Sequence, residues 1–328
     1  MTPEPLPDLH LTAGPDHRLQ EQLEFLRMFP GYAAETTGCR VTLRYRTDRA
    51  VGQLTMAPTA SGVTVRGDPS VARRVFNVTA APLLPATVLP ARPAAHRMLH
   101  RRLAGIRPVR FAATFEGIAW AILGQQVTVN AASRLKNNLA RHYGPQVMGA
   151  SGPVWVFPGP ADLAEASVDA LRSLQLSRQK AEALLSVARA IASGRWHPEQ
   201  TFREPTAIAV EDLRRFRGVG RWTAEYVLLR VAGHPDVLPV GDAALQRAWA
   251  RLNGLPGRVD ERTLQEAGAA WSGWRSDFAF CLWLDQLATR RSSAGEGAKS
   301  RGALGAAGRR VDAEPKTGSY MGCGSGGG

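Results

Sequence analysis

Apolar residues along the chain follow two different periods, and the change between them divides the sequence. Leu19, Leu23, Phe25 and Leu26 recur at helical spacing until Pro30-Gly31 breaks the pattern, which predicts a short first helix over 19–28. Between 40 and 66 the period becomes two. Val41, Leu43 and Tyr45, then Leu54 and Met56, then Val63 and Val65 alternate with other residues, separated by turn signals at Thr47-Asp48 and Ser61-Gly62. Such alternation belongs to half-buried strands, so two or three antiparallel strands are expected. A proline-rich stretch over 80–93 reads as a linker or boundary. After it the strand signal nearly disappears, and helical patterns run through 115–123, 129–143, 163–174, 179–192, 210–216, 221–231, 243–252, 263–271 and 276–288. Gly144, Gly194, Gly233 and Gly254 follow several of these as C-terminal stops.

The expected fold class is α+β: a small antiparallel sheet domain over 1–90, then a mostly helical region over 91–289. Residues 290–328 are rich in Gly, Ala and Arg, too poor in apolar surface to offset the entropy of ordering, and are expected to form a flexible tail.

Composition sharpens this picture only in part. A chain of 328 residues, 44% hydrophobic and 21% charged, is ordinary for a globular protein of about two domains. No stretch approaches the ~20 apolar residues of a membrane span, and the first residues lack a basic segment followed by an apolar run. The expectation is a cytoplasmic chain without a membrane partner. Cys39, Cys281 and Cys323 lie far apart, which argues against a disulfide framework, a paired zinc site and a four-cysteine cluster. The 41 Lys+Arg against 28 Asp+Glu give a net charge of +13, which favours a polyanionic partner. Arg92, Arg97, Arg101, Arg102, Arg107 and Arg110 share a segment free of acids. They read either as a solvated helix face or as a strip that faces phosphates.

The most informative stretch is Leu213-Arg214-Arg215-Phe216-Arg217-Gly218-Val219-Gly220-Arg221-Trp222-Thr223-Ala224, two helical segments around a Gly-Val-Gly turn. Two residues without side-chain bulk let another backbone come close. The unpaired amides at the following helix start, with the positive end of its dipole, suit an anion. Taken alone, a GxG turn serves only the turn. Here Leu213, Phe216 and Val219 support it, while Arg221 and Thr223 put polar groups at its mouth. The stretch resembles the helix-hairpin-helix element of DNA repair proteins, which grips backbone without reading sequence.

Some twenty residues on stands Val237-Leu238-Pro239-Val240-Gly241-Asp242-Ala243-Ala244-Leu245. By itself Asp242 reads as the N-cap of the next helix. A glycine hairpin, a loop ending in Pro-x-Gly-Asp and a following helix together resemble the HhH-GPD superfamily of DNA glycosylases, in which that aspartate is catalytic. A fixed carboxylate near C1′ stabilises the oxocarbenium-like state that forms as the base departs. Members that also cut the strand carry a lysine two residues after the second hairpin glycine, for Schiff-base chemistry. This chain has Trp222 there, which implies base removal without strand cleavage.

Trp222 and Tyr226 share a helix face, and Trp283 lies on the last predicted helix. Aromatics at that spacing are core residues or a stacking pocket for an extruded base. Ile122-Leu123-Gly124-Gln125-Gln126-Val127 reads as a helix end, with Thr128 placed to cap the next helix. With Gln175-Leu176-Ser177-Arg178-Gln179-Lys180-Ala181 and Trp274-Arg275-Ser276 it resembles the AlkA-like, 3-methyladenine DNA glycosylase II branch, over about 40–287. That resemblance implies a TATA-binding-protein-like first domain, two helical subdomains with a cleft between them, and a base pocket of Gln125, Trp222, Tyr226 and Trp283. It also implies a wedge at Gln126, a phosphate grip at Gly218, Val219, Gly220, Arg221 and Thr223, and the catalytic acid Asp242. Gln126 departs from the apolar wedge of some members. The implied activity is that of a monofunctional glycosylase, a monomer on double-stranded DNA containing alkylated bases and hence nucleoid-associated. A glycosylase/lyase for oxidised or mismatched bases and a non-catalytic DNA-binding module are the alternatives. No organic cofactor is implied; family analogy offers only a monovalent cation on the hairpin carbonyls of Phe216 and Val219.

Overall fold

The computed structural model of the chain describes residues 8–11, 17–32, 34–47, 50–60, 62–78 and 105–287. As far as Asp285 the chain packs as one unit. The expected linker over 80–93, the tail over 290–328, Cys323 and the arginines at 92, 97, 101 and 102 lie outside the described residues.

The alternating segment forms β3 (Arg40–Arg46), β4 (Val51–Thr59) and β5 (Gly62–Arg66), paired antiparallel with Leu43 opposite Leu54 and Met56 opposite Val65. Two short strands, β1 (Asp8–Leu11) and β2 (Glu35–Thr37), complete a sheet of order β1-β5-β4-β3-β2. Val41, Leu43, Tyr45, Leu54, Met56, Val63 and Val65 fill one face. Against it packs α1 (Leu19–Met28), which buries Leu19, Leu23, Phe25 and Leu26 and spans the residues its apolar period predicts. A further helix, α2 (Pro69–Val75), follows β5; Asp68 Oδ1 caps it by accepting from the Ser70 amide at 2.8 Å.

In the helical region α3 (Thr114–Leu123) is buried all round from Phe115 to Leu123, the mark of a central helix. Thr128 caps α4 (Val129–Tyr143), accepting from the Ala131 amide at 3.2 Å. A hairpin of β6 (Gln146–Gly149) and β7 (Gly152–Trp155) follows, where no strand was expected: its residues are half-buried or exposed, so no apolar alternation marks it. The single helix expected over 163–174 is two, α5 (Pro160–Ala164) and α6 (Val168–Ser173). Ser167 interrupts it by accepting the Ala170 amide at 3.1 Å, a cap and not a helix interior residue.

Then come α7 (Arg178–Ala192), α8 (Pro198–Thr201), α9 (Thr206–Arg214) and α10 (Arg221–Val227). The last of these runs directly into a wide π turn, Leu228–Ala232, closed by Gly233. Next are α11 (Ala243–Leu252), α12 (Glu261–Ala269) and α13 over 275–287. A small antiparallel sheet ahead of a helical region is the α+β class expected.

Of the acid-free arginine strip, the two described members face inward. Arg107 is 7% exposed, and Arg110 donates from Nε and Nη2 to the Val231 carbonyl at 3.0 and 2.6 Å. Neither fits a phosphate-facing strip, because Arg107 is buried and the Val231 carbonyl of the π turn claims Arg110. Among the described residues no helix is long and apolar enough to cross a membrane.

Candidate active site

The turn between α9 and α10 is built from the two sides its sequence prescribes. Leu213 and Val219 are buried, and Phe216 packs on Trp196 with ring centroids 4.7 Å apart. The two glycines do different work. Gly218 has φ +86°, and a Cβ there would lie 2.8 Å from Cβ of Ala183 in α7, so both backbone conformation and packing demand glycine. Gly220 is exposed with nothing within 4 Å of a Cβ, and no side chain caps α10 behind it. The fold itself would thus admit a side chain there. The first amides of α10 have no intrahelical acceptor and sit at the positive end of a helical run.

Gln125 and Thr223 tie this turn to the end of α3. The Gln125 amide donates from Nε2 to the Gly218 carbonyl at 2.8 Å and to Thr223 Oγ1 at 2.9 Å. Gln125 thus braces the hairpin, and Thr223, 2% exposed, offers a ligand only its backbone. Arg221 stays exposed and pairs with Glu225 at 2.8 Å. Burial raises the Glu225 pKa against the opposing pull of Arg221. Gln126 is exposed with φ +55°, a left-handed conformation uncommon outside glycine, and Val127 beside it is 41% exposed. The loop therefore presents one amide and one apolar side chain outward. As for a hairpin cation, the Phe216 carbonyl already accepts the Val219 amide at 2.9 Å, which leaves it one lone pair.

Asp242 takes the capping role that its sequence context offers and is tied to the hairpin helix as well. Oδ1 accepts from the Ala244 and Leu245 amides at 2.8 and 3.0 Å, so the residue does cap α11. Oδ2 accepts from Trp222 Nε1 at 3.1 Å, which fixes the carboxylate against the first turn of α10. A carboxylate has about four lone-pair sites, so three donors leave acceptor capacity. The group is 8% exposed. Trp222 continues into a row of rings, 5.5 Å to Tyr226 and from there 5.4 Å to Trp283.

Two residues of this neighbourhood carry no motif. Trp120 of α3 donates from Nε1 to the Tyr226 hydroxyl at 3.0 Å. Arg230, 1% exposed in the π turn, lies under the aromatic row, with its Cζ 5.8 Å from the Tyr226 centroid and 5.7 Å from that of Trp283. Burial opposes its charge, but the hydroxyls of Tyr32 and Tyr226 prevail and hold its pKa above the ordinary arginine value. In sequence it is one arginine inside the apolar run Val227–Val231, and that position was its only signal.

Known proteins resemble this chain in sequence and in fold. Residues 119–273 match the family model described as HhH-GPD superfamily base excision DNA repair protein. A Bacillus subtilis (strain 168) protein named DNA-3-methyladenine glycosylase is 28% identical over 187 residues, which are 57% of this chain and 62% of the relative. The Escherichia coli (strain K12) protein named DNA-3-methyladenine glycosylase 2 is 32% identical over 170 residues, 52% of this chain and 55% of that one. The chain thus spans less than two thirds of the length of either relative. The solved structure of a 3-methyladenine DNA-glycosylase from Archaeoglobus fulgidus has the same fold, with a TM-score of 0.71 at 24% identity over 85% of this chain and 97% of that one. Residues 119–273 thus carry an HhH-GPD domain, and the chain has the fold of a solved 3-methyladenine DNA-glycosylase.

Proposed function

We propose that this chain is a monofunctional DNA glycosylase, acting as a monomer on double-stranded DNA, that extrudes an alkylated base of the 3-methyladenine type and hydrolyses its N-glycosidic bond. The observation that carries this reading is the bond from Trp222 Nε1 to Asp242 Oδ2, which joins hairpin, aromatic row and carboxylate in one corner. The backbone beside the lesion docks on the α10 amides, where bare Gly220 allows close approach, and Gln126 with Val127 reaches toward the emptied stack. Trp222, Tyr226 and Trp283 offer π-faces to the base. Asp242 stabilises positive charge at C1′ and orients the attacking water. An alkylated base that is already cationic leaves without a protein acid. The indole at 222 supplies no amine for a Schiff base, so the sugar–phosphate strand stays intact.

The test is incubation with methylated duplex DNA and identification of released bases by mass spectrometry. Asp242→Asn is expected to lower release by about 100-fold or more while affinity for abasic duplex persists. Unchanged release would return Asp242 to a capping role alone. Strand scission with borohydride trapping would instead favour the glycosylase/lyase reading. Gly220→Val leaves the fold intact, since its side chain meets open space, and is expected to weaken binding to all sequences alike. Loss confined to particular sequences would refute the backbone grip.

A further inference from the structure

The reaction outlined above leaves the buried charge of Arg230 unused. Arg230 donates from Nε to the Val109 carbonyl at 2.7 Å and from Nη2 to the Tyr32 hydroxyl at 2.6 Å. Around it stand the rings of Phe25, Tyr32, Phe280, Tyr226 and Trp283, with centroids 5.1 to 5.8 Å from Cζ. An arginine keeps its proton in a protein, so the charge is permanent. Rings, a carbonyl and a hydroxyl offer partial negative charge but no net charge. Among the described residues no carboxylate forms an ion pair with it, so its field is not cancelled on the spot.

We propose that Arg230 sets the charge preference of the base pocket, its buried cation disfavouring positively charged bases relative to neutral ones of the same size. This rests on the glycosylase reading of Trp222, Tyr226 and Trp283, and deepens it by naming the class of base the site holds better. A ring that already engages one cation has its π density drawn toward that side, so its far face attracts a second cation less. Direct repulsion between the two charges acts in the same direction and is weakly screened away from water. A neutral purine feels neither effect and keeps the full stacking contact. Tyr226 is held in place for this by its hydroxyl, which accepts from Trp120 Nε1 at 3.0 Å and lies 3.4 Å from Arg230 Nη1. The bias falls where it matters little for chemistry: a base made cationic by methylation departs readily once flipped, whereas a neutral deaminated base such as hypoxanthine depends on being held.

The experiment compares single-turnover release of 3-methyladenine from methylated duplex DNA with release of hypoxanthine from an inosine duplex, using the full chain as wild type, Arg230→Gln and Arg230→Lys. Gln removes the charge and keeps an amide donor for Tyr32; at about pH 6, where the comparison is made, Lys keeps the charge. The 3-methyladenine to hypoxanthine ratio is expected to rise about five-fold in the Gln variant and to stay within about two-fold of wild type in the Lys variant. Equal loss of both releases in Arg230→Gln would make the residue purely structural and overturn the proposal. If that variant fails to melt cooperatively, the ratio in Arg230→Lys is followed from about pH 6 to 9 against wild type, since a buried lysine loses its proton in such a range. A rise with pH supports the proposal and a flat ratio overturns it. Release of neither base by the wild type would remove the glycosylase reading itself, whereas release of both with an unchanged ratio in Arg230→Gln removes only this inference.

Discussion

Two buried cations in different parts of the molecule are accommodated in opposite ways. Where α4 crosses α3, Lys136 pairs with Glu116, also donates to the Gly31 carbonyl at 2.6 Å, and is 3% exposed. Under the aromatic row, Arg230 has rings and neutral oxygens for company and, among the described residues, no carboxylate partner. An ion pair cancels its own field within a few ångströms and acts as a local fastener. A cation solvated by π-faces keeps its reach. The molecule places the silent charge in its scaffold and the audible one beside its candidate chemistry. A third solution appears on α13, where burial raises the carboxyl of Asp277 to about 7 despite the opposing charge of Arg107. That group meets burial by taking up a proton.

The widest break in this comparison comes from orphaning a charge. Glu116→Ala strands Lys136 and is expected to cost about 3–5 kcal/mol in chemical denaturation, while Glu116→Leu with Lys136→Met recovers most of that loss. Loss in the double variant as large as in the single one would mean that the pair is not a self-contained unit. Arg230→Gln removes a charge without stranding another, so its stability cost should be smaller, about 1.5–3 kcal/mol from weakened bonds to Val109 and Tyr32. A loss exceeding that of Glu116→Ala would show that a carboxylate does depend on Arg230. Trp222→Phe keeps a ring but loses the Nε1 donor; base release should fall while stability changes by about 1 kcal/mol, the size of a single hydrogen bond.

The remaining effect concerns pH. The native carboxyl of Asp277 titrates at about 7, above its ordinary value of 3.8, so the native state holds the proton more tightly than the unfolded one. Stability from this group is full below about pH 4 and declines as pH rises toward 7, then stays at its lower level. Asp277→Asn should flatten that slope in thermal melts across this range, and a slope unchanged by the substitution would assign it to another group.

Much of this organisation was written in local pattern. α1, α4 and α11 occupy the residues their apolar periods predict, because one face of each is buried and the other wet. The turn at Gly218 and the cap at Asp242 were legible because a tight turn and a helix start each need particular residues. β6 and β7 escaped because neither face is buried, and the break at Ser167 because a single hydroxyl outweighs an apolar period. Gln125 shows a subtler limit. Its place near the site was readable, but its bonds to Gly218 and Thr223 span more than ninety residues, and no local pattern encodes them. Arg230 was illegible for the opposite reason: an arginine in an apolar run carries no sign of which rings will close around it.

The π turn at Leu228–Ala232 leaves carbonyls that the helix does not use. Phe111 N takes that of Arg230 at 3.0 Å, and Arg110 takes that of Val231, partners separated by 121 residues in the case of Arg110 and Val231. Tyr32 waits still longer, since its bond to the Arg230 guanidinium joins positions 198 apart. On the ribosome, none of these contacts exists until translation has passed position 231. The nascent first third of the protein must therefore remain unfastened at this seam while the following hundred codons are read.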